Sequence, residues 1–140
     1  MKVHHAVFCV QGDNQERAAD LWRQLGLTFT EVVLDDLEIR VLIDWDAGIE
    51  LVSPLPNAGE PAQAFTSFLE TNGEGLYSLA MDVDEVDGPE AIARRYGAQV
   101  EYRQHREVGT FVIDEVMLAP VHGMPITFLA TGEKTSAPMK

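Results

Sequence analysis

A histidine and a glutamate, His5 and Glu50, are the residues of this chain whose types and settings best suit chemistry. His5 lies in His4-His5-Ala6-Val7-Phe8-Cys9-Val10, a run dense in β-branched and aromatic residues with paired imidazoles at its start. It reads as a buried strand with a polar mouth. Period-two alternation sends Ala6, Phe8 and Val10 to one face and His5, Val7 and Cys9 to the other. In Ile49-Glu50-Leu51-Val52, Ile49 and Leu51 share the apolar face, which leaves Glu50 on the opposite side with Val52. If both strands belong to one curved sheet, imidazole and carboxylate converge inside its cup. Such a pair suits a hard or borderline divalent metal, or proton transfer. Two ligands alone hold a divalent ion poorly. The competing reading is structural: His5 hydrogen-bonded at the mouth of its strand, and Glu50 paired with a buried arginine such as Arg40.

The elements that must position these residues recur. After the first strand, Asp13-Asn14-Gln15-Glu16 has the capping-box spacing, with Asp13 as N-cap. Ala18, Leu21, Trp22 and Leu25 follow at helical spacing, and Gly26 stands where a left-handed C-cap belongs. Thr28 to Val33, Leu37 to Trp45 and Ile49 to Val52 read as strands; Asp35-Asp36 separates the first two, and Asp46-Ala47-Gly48 turns into the third. Pro54 to Pro61 is a Pro/Gly-rich connection, followed by a short helix with Phe65, Phe68 and Leu69 on one face and Asn72-Gly73 at its end.

The outline then repeats. Tyr77-Ser78-Leu79-Ala80-Met81-Asp82-Val83 corresponds to the first strand, Asp87-Gly88-Pro89-Glu90 to the capping box, Ala91, Ile92 and Tyr96 to the apolar stripe, and Gly97 to the closing glycine. Gln99 to Arg106, Phe111 to Leu118 and Pro125 to Ala130 supply the remaining strands. Cap, stripe and glycine in the same order argue for duplication. The fold class is therefore α+β, as two tandem βαβββ modules. Module one spans about 2–54, a linker 55–74 and module two about 75–131, while 132–140 reads as a disordered tail.

The chain has 140 residues, enough for one domain with a full core. Its formal charge of −13, from 23 acidic against 10 basic residues, repels phosphate backbones and anionic membranes, so no nucleic-acid or membrane partner is expected. The same charge favours a cationic ligand if the acids line a cleft. No apolar run approaches the roughly 20 residues that span a bilayer, and no secretory signal pattern opens the chain, so a cytoplasmic location is expected. A single cysteine, Cys9, excludes a disulfide framework and reads as a small core residue. His4 faces away from His5. His105 and His122 lack metal-ligand spacing to a partner. Phe8, Trp22, Phe65, Phe68 and Tyr96 read as core. There is no glycine-rich phosphate loop, no Cys-x-x-Cys pair and no Gly-x-Ser-x-Gly elbow.

In Val3-His4-His5-Ala6-Val7, Gly48-Ile49-Glu50-Leu51-Val52-Ser53-Pro54, Gly75 to Val83 and His122-Gly123-Met124-Pro125-Ile126-Thr127, the chain resembles the vicinal oxygen chelate superfamily, which includes glyoxalase, methylmalonyl-CoA epimerase, extradiol dioxygenase, and fosfomycin and bleomycin resistance proteins. The resemblance runs from Val3 to about Thr131. It implies paired βαβββ modules whose sheets curve around a cup-shaped cavity, often holding a divalent metal with a ligand from the first and last strand of each module. It matches His5 and Glu50 to the first module's ligands, and places Ser78 and Thr127 at the second module's. Hydroxyls replace imidazole and carboxylate poorly, so the resemblance implies a weak or absent metal site. It also implies a homodimer. Ser78, Thr127, Val7, Arg40 and Glu115 are the candidate pocket residues around His5 and Glu50, and Asp82 could add acid.

Two functions remain open. One is a lyase or isomerase of glyoxalase or epimerase type, acting on a small organic carbonyl compound or acyl thioester, with Glu50 as general base and His5 as partner acid or metal ligand. The other is a metal-free small-molecule binding protein of the bleomycin-resistance type.

Overall fold

The structure, a computed structural model, describes residues 1–133. The first strand, β1 (Lys2–Cys9), leads through a 3-10 turn at Gly12–Asn14 into α1 (Gln15–Gln24), then β2 (Thr30–Leu34), β3 (Ile39–Asp44) and β4 (Ile49–Pro54). A second 3-10 turn, Glu60–Ala62, opens α2 (Gln63–Asn72). The pattern then recurs as β5 (Gly75–Asp82), α3 (Asp87–Arg95), β6 (Val100–Val108), β7 (Phe111–Leu118) and β8 (Ile126–Glu133). The α+β class and the tandem βαβββ modules expected from the sequence are the ones observed. Gly132 and Glu133, expected in the tail, extend β8; the rest of that segment lies outside the described residues.

By internal contacts one unit is His5–Ser78, and the other runs from Leu79 onward together with Met1–His4. In the first, the strand order is β2-β3-β4-β1, with β1 and β4 parallel and the remaining pairs antiparallel. Both faces of this sheet are covered. On one, Leu42, Leu51 and Phe8 pack against Ala18, Ala19 and Trp22 of α1. On the other, Val7, Cys9, Val41, Ile43 and Val52 pack against Ala62, Phe65, Phe68 and Leu69 from α2 and the turn before it. In the second unit the order β5-β8-β7-β6 repeats the arrangement, and Val116, Leu118 and Phe128 pack against Ala93 of α3.

Both helix starts and both stripes differ from expectation. Asn14, not Asp13, precedes α1, and no side chain caps it; Asn14 donates instead to Glu74 at 2.9 Å. The helix is turned so that Gln15 and Ala19 are buried, while Leu21 and Leu25 are 61 % and 67 % exposed. Gln15 sets that rotation, because its amide donates to the strand carbonyls of Arg40 (2.9 Å) and Leu51 (3.0 Å). In α3, Glu85 rather than Asp87 serves the cap, accepting from the Gly88 amide at 3.0 Å. Glu90 and Ala93 face inward, whereas Ile92 and Tyr96 are 51 % and 77 % exposed, so Tyr96 is not core. Glu90 is held by Arg94 at 2.8 Å and Arg103 at 2.5 Å, which ties α3 to β6. Gly26 and Gly97, at φ +107° and +91°, close their helices as expected; both have open space around the missing Cβ, so the backbone angle alone selects glycine.

Among the described residues, Ser53, buried at 1 % exposure on β4, has a buried hydroxyl with no hydrogen-bond partner. Removing an unsatisfied buried hydroxyl relieves a desolvation cost. Ser53→Ala is expected to stabilise the fold by about 1 kcal/mol, read as a raised midpoint in thermal or urea unfolding. A lower midpoint would show that the hydroxyl is used.

Candidate functional site

β1 and β4 run side by side, and their register sets Val7 against Glu50. Paired residues of neighbouring strands project to the same side, and His5 lies two residues from Val7, so His5, Val7 and Glu50 share one face. The antiparallel β3–β4 register adds Ile43 opposite Glu50. The geometry is then specific. His5 Nε2 lies 3.1 Å from Glu50 Oε1, with the imidazole 4 % exposed and the carboxylate 18 %. Trp45, just past β3 and about half exposed, meets the His5 ring edge-on at 6.0 Å between centroids. A buried imidazole thus holds one oxygen of a carboxylate that solvent and small molecules can reach. α2 packs on the same face but towards the other end of β1, where the Cys9 thiol contacts the Phe65 carbonyl.

Arg40 is a correction to the expected pocket. It pairs in register with Ser53, which alternates with Glu50 along β4, so its side chain leaves the sheet on the α1 side. There it donates to Glu31 (2.5 Å), Glu16 (2.7 Å) and Gln15 (3.2 Å). It neither pairs with Glu50 nor joins His5. Arg40 does line a different space, a cleft of about 610 Å³ that includes Gln15, Pro54 and Leu69 but not His5 or Glu50.

In the second module, β5 and β8 set Ala80 against Thr127. Ser78 precedes Ala80 by two residues, as His5 precedes Val7, so the second module repeats this register of the first. Ser78 and Thr127 are 3 % and 6 % exposed. They lie on the face away from α3, and the β6–β7–β8 register places Glu115 on that same face, where it accepts from Gln104 at 2.5 Å. Gln104 accepts in turn from Tyr102 and Arg106, a polar row on β6 that the sequence reading missed. Its signal was present: Tyr102, Gln104 and Arg106 alternate with charged residues at period two. Asp82 pairs with Leu129 at the end of β5. His105 meets Asp114 at 2.6 Å on an exposed surface.

The metal implied by the resemblance was tested on the donor set. The first module brings one imidazole and one carboxylate, and the corresponding residues of the second bring hydroxyls. Among the described residues no three His, Cys, Asp or Glu side chains gather as a metal-binding group. Such a set does not fit a firmly held divalent ion, which takes at least three strong donors.

No protein-family model matches the chain, and no characterised sequence matches it either. Solved structures do. Methylmalonyl-CoA epimerase of Streptomyces coelicolor, in complex with 2-nitronate-propionyl-CoA, is 20 % identical over 93 % of this chain and 96 % of that one, with a TM-score of 0.70. This chain has the vicinal oxygen chelate fold. The Mycobacterium tuberculosis methylmalonyl-CoA epimerase (22 % identity, 92 % and 87 % covered, TM-score 0.64) and a hypothetical protein from Bacillus halodurans (18 %, 97 % and 98 %, TM-score 0.71) share it. The vicinal oxygen chelate fold hosts many chemistries, so the reaction must be argued from the site. No helix among the described residues is long and apolar enough to cross a membrane.

Proposed function

We infer that this chain is an epimerase-like enzyme that moves a proton at the carbon next to the carbonyl of a small acyl thioester or related carbonyl compound. The observation that carries the reading is the 3.1 Å contact between buried His5 and the reachable carboxylate of Glu50. Glu50 is the general base. Its Oε1 is held by the imidazole, and Oε2 takes the α-proton as the C–H pair moves into the carbonyl and an enolate forms. Protonation of the planar enolate on its opposite face, by a proton from solvent, inverts the carbon while Glu50 gives its own proton up to solvent. Return from Glu50 after exchange restores the carbon with solvent hydrogen. His5 orients the base through this contact; Ser78 and Thr127 are the second module's candidates for polar contacts to the substrate. No step is routed through a metal. That similar folds bind acyl-CoA ligands supports the substrate class. The reading carries with it a homodimer in the cytoplasm, the first of which light scattering tests.

The test is solvent exchange. Methylmalonyl-CoA and propionyl-CoA are incubated with the protein in D₂O, and deuterium at the α-carbon is followed by NMR. Uptake above the uncatalysed rate, at enzyme-limited velocity, is the expected outcome. Binding without uptake would instead favour a small-molecule binding protein, a reading supported by the hydroxyls at Ser78 and Thr127 and by the charge of −13.

A further inference from the structure

Trp45 stands where an acyl group held at Glu50 would reach. It follows Ile43 by two residues, and Ile43 is set opposite Glu50, so indole and carboxylate leave the sheet on one side. The indole meets His5 edge-on at 6.0 Å, and the same imidazole holds Glu50 at 3.1 Å. Trp45 is nevertheless 51 % exposed, whereas Val7 and Ile43 on the same face are 9 % and 2 % exposed. Half of a large indole left in water beside a reactive carboxylate is apolar surface that a bound group can cover.

Charge narrows what that group can be. Strand register gives this face Val7, Val41, Ile43 and Val52 beside His5 and Glu50, and among the described residues of β1 to β4 no lysine or arginine shares it. The donors gathered here do not hold a divalent ion firmly either. A carboxylate on the substrate's α-carbon would therefore meet the like charge of Glu50 with nothing on this face to offset it. The face suits an α-substituent that is uncharged and apolar. The indole adds a preference for a flat ring, which it meets by offset stacking. A ring on the α-carbon also eases the chemistry, because it spreads the charge left on carbon when the proton passes to Glu50.

Resting on Glu50 as the base, we propose that the substrates of this site are arylacetyl thioesters, whose aromatic ring stacks on Trp45 while the α-carbon sits at Glu50 Oε2. Trp45 is then the residue that sets specificity for the acyl group.

The experiment titrates N-(2-acetamidoethyl)-2-phenylacetamide, an unreactive analogue with nitrogen in place of the thioester sulfur, into the ¹⁵N-labelled full chain. Two tryptophans give two indole N–H signals, which Trp45→Phe assigns. The Trp45 signal should shift saturably while that of Trp22, packed on the opposite face of the sheet, stays in place. The propionyl counterpart should bind about tenfold more weakly and the cyclohexylacetyl one about threefold. Trp45→Ala should weaken the phenyl analogue about tenfold and leave the propionyl one within about twofold, and Trp45→Phe should recover most of the loss. In α-deuterium uptake from phenylacetyl-CoA, Trp45→Ala should raise KM about tenfold with kcat little changed, because stacking is made equally before and in the transition state. Equal affinity for the phenyl and cyclohexyl analogues, or full aryl affinity in Trp45→Ala, would overturn the proposal. A Trp45 signal that stays fixed while propionyl-CoA still exchanges would overturn the aryl site alone. Shifts at Trp45 without uptake from either thioester would overturn the base, and with it the substrate assignment.

Discussion

Glu50→Gln is expected to lower the rate of α-deuterium uptake by about 10²–10⁴-fold, the usual range for loss of a positioned general base. The amide keeps the size of the carboxylate and leaves an oxygen for His5 to meet, so substrate affinity and the melting midpoint should stay near those of the parent. What disappears is basicity. The loss should therefore fall on kcat, with KM little changed, because the interaction removed is one made to the moving proton. His5→Gln tests the partner's role: it keeps a hydrogen-bond donor near Glu50 but no ring, and its effect should be smaller than that at Glu50. Exchange at the parent rate in Glu50→Gln, with the fold intact, would show that the base lies elsewhere.

Glu90→Gln should give the largest loss of stability, about 2 kcal/mol at neutral pH, as charge-assisted hydrogen bonds weaken to neutral ones. Glu90 is buried at 7 % exposure, and Arg103 followed by Arg94 holds its carboxyl down at about 2, from an ordinary 4.5. A carboxyl whose folded pKa is depressed contributes stability above its unfolded pKa and loses it as pH falls. The gap between parent and variant should therefore be full above about pH 5, narrow from pH 4.5 downward and vanish near pH 2. Urea unfolding at several pH values reads it directly. A gap that does not change with pH would mean the two arginines contribute nothing through charge.

What the sequence revealed of the fold came from patterns that do not depend on tertiary partners. Strand alternation put His5, Val7 and Glu50 on one face, and Gly26 and Gly97 marked the helix ends through a backbone angle that other residues avoid. The misreadings share a physical cause. Hydrophobicity alone points Leu21, Leu25, Ile92 and Tyr96 inward, but the rotation of α1 is set by the Gln15 amide and that of α3 by the clamp on Glu90. Both are polar groups that satisfy one another only once distant strands are in place. Helix capping failed for a similar reason, since Asn14 finds Glu74, sixty residues away. Charge complementarity alone groups Arg40 with Glu50, whereas strand parity puts it on the other side once the register with Ser53 is known. The polar row on β6 went unnoticed because no residue in it is individually reactive.

The packing of α2 over the end of β1 has a practical corollary. Cys9 is fully buried beneath it, and desolvation, with a smaller push from the Glu74 charge, raises the thiol to about 12. A sulfhydryl in that state has almost no thiolate at neutral pH and stays inert to maleimides and disulfide reagents while the helix is in place. Its labelling rate would therefore clock the opening of this corner of the molecule. Until that opening, a cysteine introduced at any exposed position would take the dye alone.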